Sequence, residues 1–266
     1  MSEPEQKVCP PRAARFHGRA PARRQGQGGF TLVELLVVMA SIAILAALLL
    51  PVLGRSKESA KSAKCINNQR QFCLSAQMYW EDNNGQTFAY GGIMTNNGEI
   101  YWFGWIGSGP EETRPFDPAQ GALYPYMGAG VDLCPSFDYS SSQFKLKASV
   151  PTCDYGYNLS LGPLDQSPVN MKNIHRPAAL VLLADAAQVN TFEAPASIEH
   201  PMFEEWYYIN DDPSQPNGQF RHEQRANAVF CDGHTERAAM VPGTLDPRLP
   251  AQCIGWLAPA ILTPAN

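Results

Sequence analysis

The chain has 266 residues, 44% of them hydrophobic, with 21 Gly, 23 Pro and a formal net charge of -5. That hydrophobic content excludes a wholly disordered chain and suits a packed domain. The charge is uneven: residues 1–29 carry six basic and two acidic residues, net +4, which leaves -9 on the remainder. An acidic body argues against nucleic acid as a partner.

The basic head comprises Lys7, Arg12, Arg15, Arg19, Arg23 and Arg24. From Gln25 to Gly54 Glu34 is the sole ionisable residue. Phe30 to Leu53 is long enough, at about 1.5 Å per residue, to cross a bilayer core of about 30 Å. The basic excess ahead of it predicts a cytoplasmic N-terminus and an exported body. A secretory signal would be cut after its apolar stretch. A site near Ala46-Ala47 would fit that reading, but it would leave much of the run in place.

Gly28-Gly29-Phe30-Thr31-Leu32-Val33-Glu34, followed by the apolar run, resembles the leader of type IV pilins and type II secretion pseudopilins. The resemblance implies cleavage between Gly29 and Phe30 by a prepilin peptidase, N-methylation of Phe30, and a role for Glu34 in aligning subunits during assembly. Physically, a lone carboxylate in lipid costs roughly 2.5–3.5 kcal/mol and needs a partner. The amine created at Phe30 lies one turn away. Pro51 matches a proline common in these helices and is expected to kink or locally melt the helix.

Beyond the membrane, Ala63, Ile66, Cys73, Ala76 and Trp80 fall on one helical face, opposite Lys57, Lys61, Lys64, Arg70 and Gln71. Asp82-Asn83-Asn84-Gly85 is a stop signal. One helix is therefore predicted from about Thr31 to Asp82. Strand-like runs follow at Glu99–Ile106, Ala179–Ala184, Trp206–Ile209 and Ala226–Cys231, and Asp232-Gly233 turns the chain into Thr235–Met240. Cys253–Leu262, broken by Pro259, reads as a packed tail. The predicted class is α+β: a long N-terminal helix, transmembrane in its first half, packed on an antiparallel sheet. The expected divisions are a leader at 1–29, a membrane helix at 30–53, its amphipathic continuation at 54–84 and a β-rich head at 85–266.

The head also resembles prepilin-type proteins with a C-terminal His-x9-Asp-Gly signature, here His222, Asp232 and Gly233. Cys65-Ile-Asn-Asn-Gln-Arg-Gln, Leu123-Tyr-Pro-Tyr126, Cys134-Pro135-Ser136, Tyr155-Gly-Tyr-Asn158, Arg176-Pro177 and Ala184-Asp185 agree with that likeness. From the resemblance, Cys65 and Cys134 are expected to form a disulfide, against the alternative of two buried thiols. Related pseudopilins bind calcium in a C-terminal loop, for which Asp211, Asp212 and Asp232 are the candidate oxygen ligands. No other cofactor is expected. His222, Asp232, His234, Asp185 and Cys231 are ligand types, but the favoured reading is structural: Asp-Gly forms the turn, and His222 or Asp185 satisfies backbone groups.

The implied function is a structural subunit, not an enzyme, anchored once in the inner membrane with its head in the periplasm or at the cell surface. Its partners would be the peptidase, other subunits and an assembly ATPase with its platform protein. The alternative is an enzymatic or binding head on a pilin anchor, the aromatic run Tyr101–Trp105 being its candidate contact surface. The sequence holds no nucleophile elbow or phosphate loop to favour an enzyme.

Overall fold

The computed structural model describes residues 29–95, 97–128, 132–162 and 169–264. The leader apart from Gly29 lies outside them. A single helix, Leu32–Asp82, opens the described chain. Its first residues are helix formers with no internal Gly, and it passes Pro51 without a break. Local melting at that proline is therefore not seen, because the neighbouring turns hold. The helix stops where the sequence signals it: Asn84 (φ 58°) and Gly85 (φ 87°) turn left-handed, and the Gly85 N–H returns 2.6 Å to the Trp80 carbonyl.

The chain divides into two compact units, Met1–Leu50 and Pro51–Asn266. In the first, the large side chains of the helix are exposed, from Leu32 at 80% to Leu50 at 69%. The second holds the remaining helix and the sheets. Its main sheet runs in the order Tyr208–Ile209, Tyr155–Asn158, Val181–Asp185, Arg225–Phe230, Thr235–Ala239. The central strand Val181–Asp185 is buried throughout, so it reads as a continuous apolar run rather than an alternating one. Phe72, Cys73, Ala76 and Trp80 of the helix share a core with Tyr155, Tyr157, Leu183 and Val229 of this sheet. Val181, Ala184, Ala228 and Phe230 belong to a second core with Leu257 and Leu262 of the tail, which packs as expected.

Three smaller sheets complete the unit. One is antiparallel: Ile93–Thr95, Gly98–Tyr101, Gly104–Gly107, Phe116–Asp117. Another joins Phe144–Lys145, Met202–Glu205 and Ala187–Asn190, and the last pairs Gly218–Gln219 with Ile254–Gly255.

Several expectations need correction. Glu99–Ile106 is not one strand but a hairpin, with Tyr101 opposite Gly104. Gly104 (φ 158°) makes it possible, since a Cβ there would lie 2.6 Å from the Phe116 ring. Trp102 and Phe103 at its tip are buried in the core, so the aromatic run is packing rather than a contact surface. In the segment Trp206–Ile209 the strand is only Tyr208–Ile209, and it pairs parallel with Tyr157–Asn158. Phe144–Lys145 also pairs parallel, with Phe203–Glu204. Long connections separate these partners, which parallel pairing requires.

The helix face is also rotated from the predicted one. Cys73, Ala76 and Trp80 are buried, but Ala63 is exposed and Ile66 half-buried, while Cys65, Asn68 and Gln69 are buried. Apolar periodicity cannot register a buried polar stripe.

Candidate functional site

The N-terminal segment and a buried polar cluster are two places where the structure gathers chemistry. At the first, Thr31 caps the helix. The Glu34 carboxylate accepts from the Thr31 N–H and hydroxyl, both at 2.8 Å, and the Thr31 hydroxyl accepts from the Glu34 N–H at 3.2 Å. This reciprocal pair is a capping box, written in the sequence as Thr-x-x-Glu. It also sets the carboxylate at the positive end of the helix dipole. Gly29 and Phe30 lie just ahead of it, exposed and outside the helix. In the uncut chain Thr31, not an amine, is therefore the partner of Glu34.

The second site forms where the helix crosses the main sheet. Cys65 comes from the helix, Cys134 from the loop ahead of Phe144–Lys145, Asp185 from the end of the central strand, and His222 from the segment preceding Arg225–Phe230. All four are buried, and their donor atoms lie within 4.8 Å of one another. The Cys65 thiol donates 3.0 Å to Asp185 Oδ1. His222 Nε2 stands 3.4 Å from Cys134 Sγ and 3.4 Å from Asp185 Oδ2. Arg221 reaches Asp185 at 2.9 Å and Asp154 at 3.2 Å, with its guanidinium 5.1 Å from the centre of the Phe137 ring.

Backbone groups are satisfied within the same cluster. Asp185 accepts from the Asn227 N–H at 2.7 Å, and Asp154 accepts from the Cys134 N–H at 3.0 Å. From the helix, Gln69 donates to the Asn227 carbonyl at 3.0 Å and Asn68 to the Asp132 carbonyl at 3.1 Å.

Burial dominates the electrostatics. It pushes the carboxyls of Asp154 and Asp185 up, against the Arg221 guanidinium that favours their charged forms. Burial likewise pushes the Cys65 thiol well above the usual thiol range. For Cys134 the same burial is outweighed by the neighbouring Cys65 thiol, Arg221 and His222, which hold it far below that range. The pair thus favours a thiolate on Cys134 beside a protonated Cys65.

The expected Cys65–Cys134 disulfide is not formed. Both are free thiols, adjacent to each other in one cluster, with Cys65 also donating to Asp185 and Cys134 beside His222. The expected calcium set does not assemble either. Asp211 and Asp212 follow the strand at one edge of the main sheet, whereas Asp232 lies in the turn joining its last two strands at the other edge. Four strand spacings separate those edges, roughly 19 Å. Asp212 instead accepts from Ser214 at 2.7 Å, and Asp232 from His234 at 2.6 Å.

The His-x9-Asp-Gly segment divides in the same way. His222 enters the cluster, while Asp232 and Gly233 (φ 96°) form the turn. Cys231 and His234 stay at that turn. Asp154, Arg221, Asn68 and Gln69 were not singled out as site residues. The adjacent Cys65, Asn68 and Gln69 on a helix, and Arg221 beside His222, were the available signal.

A family model described as the prokaryotic N-terminal methylation motif matches residues 24–52. No curated protein and no solved structure matches the chain. The matched segment runs into the helix, among the described residues the one long and apolar enough to cross a membrane, which is compatible with a single-pass anchored protein. The motif implies processing by a prepilin peptidase and association with other pilin subunits; with the long apolar helix behind it, this chain fits a type IV pilin or pseudopilin.

Proposed function

We propose that the chain is a structural subunit of a type II secretion pseudopilus or a type IV pilus-like fibre. The peptidase cuts between Gly29 and Phe30, and Phe30 is methylated. The helix waits in the inner membrane, with the head in the periplasm or at the cell surface. An assembly ATPase and its platform protein then move it into a bundle of like helices. The subunit itself has no catalytic task.

One observation supports this above the others. Between Leu32 and Leu50, thirteen large apolar side chains are exposed. Burying them in lipid or against neighbouring helices is worth on the order of 20 kcal/mol or more. The single carboxylate offsets only about 3 kcal/mol of that. Apolar burial therefore holds the helix in the membrane, and Glu34 supplies register: in a bundle it can pair with the Phe30 amine of a neighbour, which offsets its own burial cost.

The test compares wild type with Glu34→Leu in cells that carry the machinery. Mass spectrometry should find N-methylated Phe30 as the first residue of both. The variant should stay in the membrane while its sheared-fibre fraction falls by about tenfold or more. An unprocessed wild-type chain starting at Met1 would sink the proposal. Unimpaired assembly of Glu34→Leu would sink the role given to the carboxylate.

A further inference from the structure

We propose that Cys65, Cys134, Asp185 and His222 form a structural zinc site that staples the helix to the main sheet. Two thiols, an imidazole and a carboxylate are a donor set suited to zinc, whose closed four-ligand sites are structural rather than catalytic. All four residues are buried, leaving no open position for a substrate.

Two of the donor separations fit a tetrahedral ion as they stand. Donors bound at about 2.0–2.3 Å stand about 3.3–3.8 Å from one another. The two contacts of His222 Nε2, to Cys134 Sγ and Asp185 Oδ2, are both 3.4 Å. Such distances suit two ligands sharing an ion better than a strong hydrogen bond. Among the described residues the buried Nδ1 of the same ring has no hydrogen-bond partner. Nε2 makes no strong hydrogen bond either, a costly condition for a buried ring that an ion at Nε2 would relieve.

Zinc takes both sulfurs as thiolates. Cys134 already favours that form, so Zn2+ displaces the Cys65 proton to solvent, and the pocket gains one positive charge beside the Asp185 carboxyl. Arg221 continues to balance Asp154 and Asp185. The Asn227 N–H and Arg221, both on Asp185, supply the outer contacts that orient a ligating carboxylate. A cleft of about 200 Å3 lined by Ser62, Ile66, His222, Glu223 and Arg237 lies beside the site. The ion would join residues 120 apart in sequence at Cys65 and Asp185 and 88 apart at Cys134 and His222, closing long loops at one point.

The experiment uses the full chain extracted in detergent without reductant. Elemental analysis should find one zinc per chain. After removal of the metal by chelation, cobalt chloride should give the visible bands of a tetrahedral site and a thiolate-to-cobalt charge-transfer band. Cys134→Ser and His222→Ala should weaken zinc binding by at least about tenfold, whereas Cys231→Ser, a buried thiol at the hairpin turn, should leave it intact. If the variants do not fold, the wild-type zinc content and cobalt spectrum decide alone. A wild-type chain with free thiols that takes neither zinc nor cobalt overturns the proposal. So does a chain isolated with Cys65 and Cys134 joined as a disulfide, whatever it binds after reduction.

Discussion

Arg221 shows how much one buried side chain carries. Its guanidinium stands between Asp154 and Asp185, both wholly buried. Arg221→Ala leaves two carboxylates facing each other without a counter-ion, and such losses cost about 3–5 kcal/mol. Arg221→Lys keeps the charge but loses the planar fork, so its melting temperature in detergent should fall between those of wild type and the alanine variant. Glu205 supplies a pH-dependent counterpart. It is buried and accepts from the Thr152 N–H and hydroxyl, both at 2.7 Å. Burial pushes its carboxyl up to about 7, against the opposing pull of Thr152, Tyr139 and Lys147. With the folded value above the unfolded one, the stabilisation is full below the unfolded pKa of about 4.5 and is lost as pH rises through about 7, a swing of about 3 kcal/mol. Wild type should therefore lose stability relative to Glu205→Gln between about pH 5 and 8, as read by paired thermal melts; parallel curves would contradict this.

At the scale of elements, the helix carries the packing of the head. Phe72 is buried edge-on against Trp102 at 5.8 Å and Tyr155 at 5.3 Å. Phe72→Ala should cost about 3–5 kcal/mol, visible as a lowered denaturation midpoint, while the exposed Leu74→Ala should change it little. The helix was legible because its signals are local: an uninterrupted apolar run begins it and Asn84-Gly85 ends it. The hairpin at Asp232-Gly233 was legible for the same reason. The short strands Met202–Glu205, Gly218–Gln219 and Ile254–Gly255 carry no comparable signal, being two to four residues long and held by partners distant in sequence. The buried stripe Cys65, Asn68 and Gln69 escaped because its burial is compensated by hydrogen bonds from the sheet, not by apolarity.

At the scale of the whole molecule, the boundary at Gly29 and Phe30 separates a basic leader from everything that would assemble. Gly29→Ile puts a branched side chain where the peptidase expects none. Its membrane-extracted chain should keep the mass of all 266 residues while wild type loses the leader; equal processing of the two would refute the assignment of the cut. The anchor, its lone carboxylate, the capping box and the length of the helix were determined by sequence alone, because each depends on residues within a turn or two of one another or on the uninterrupted length of an apolar run. Which cysteines meet, that His222 parts from Asp232, and that Asp154, Asp185 and Arg221 share one buried site were decided only by tertiary structure. Those meetings join segments from 36 residues apart at Asp185 and Arg221 to 120 at Cys65 and Asp185, and strand order and register, rather than any local pattern, bring them together.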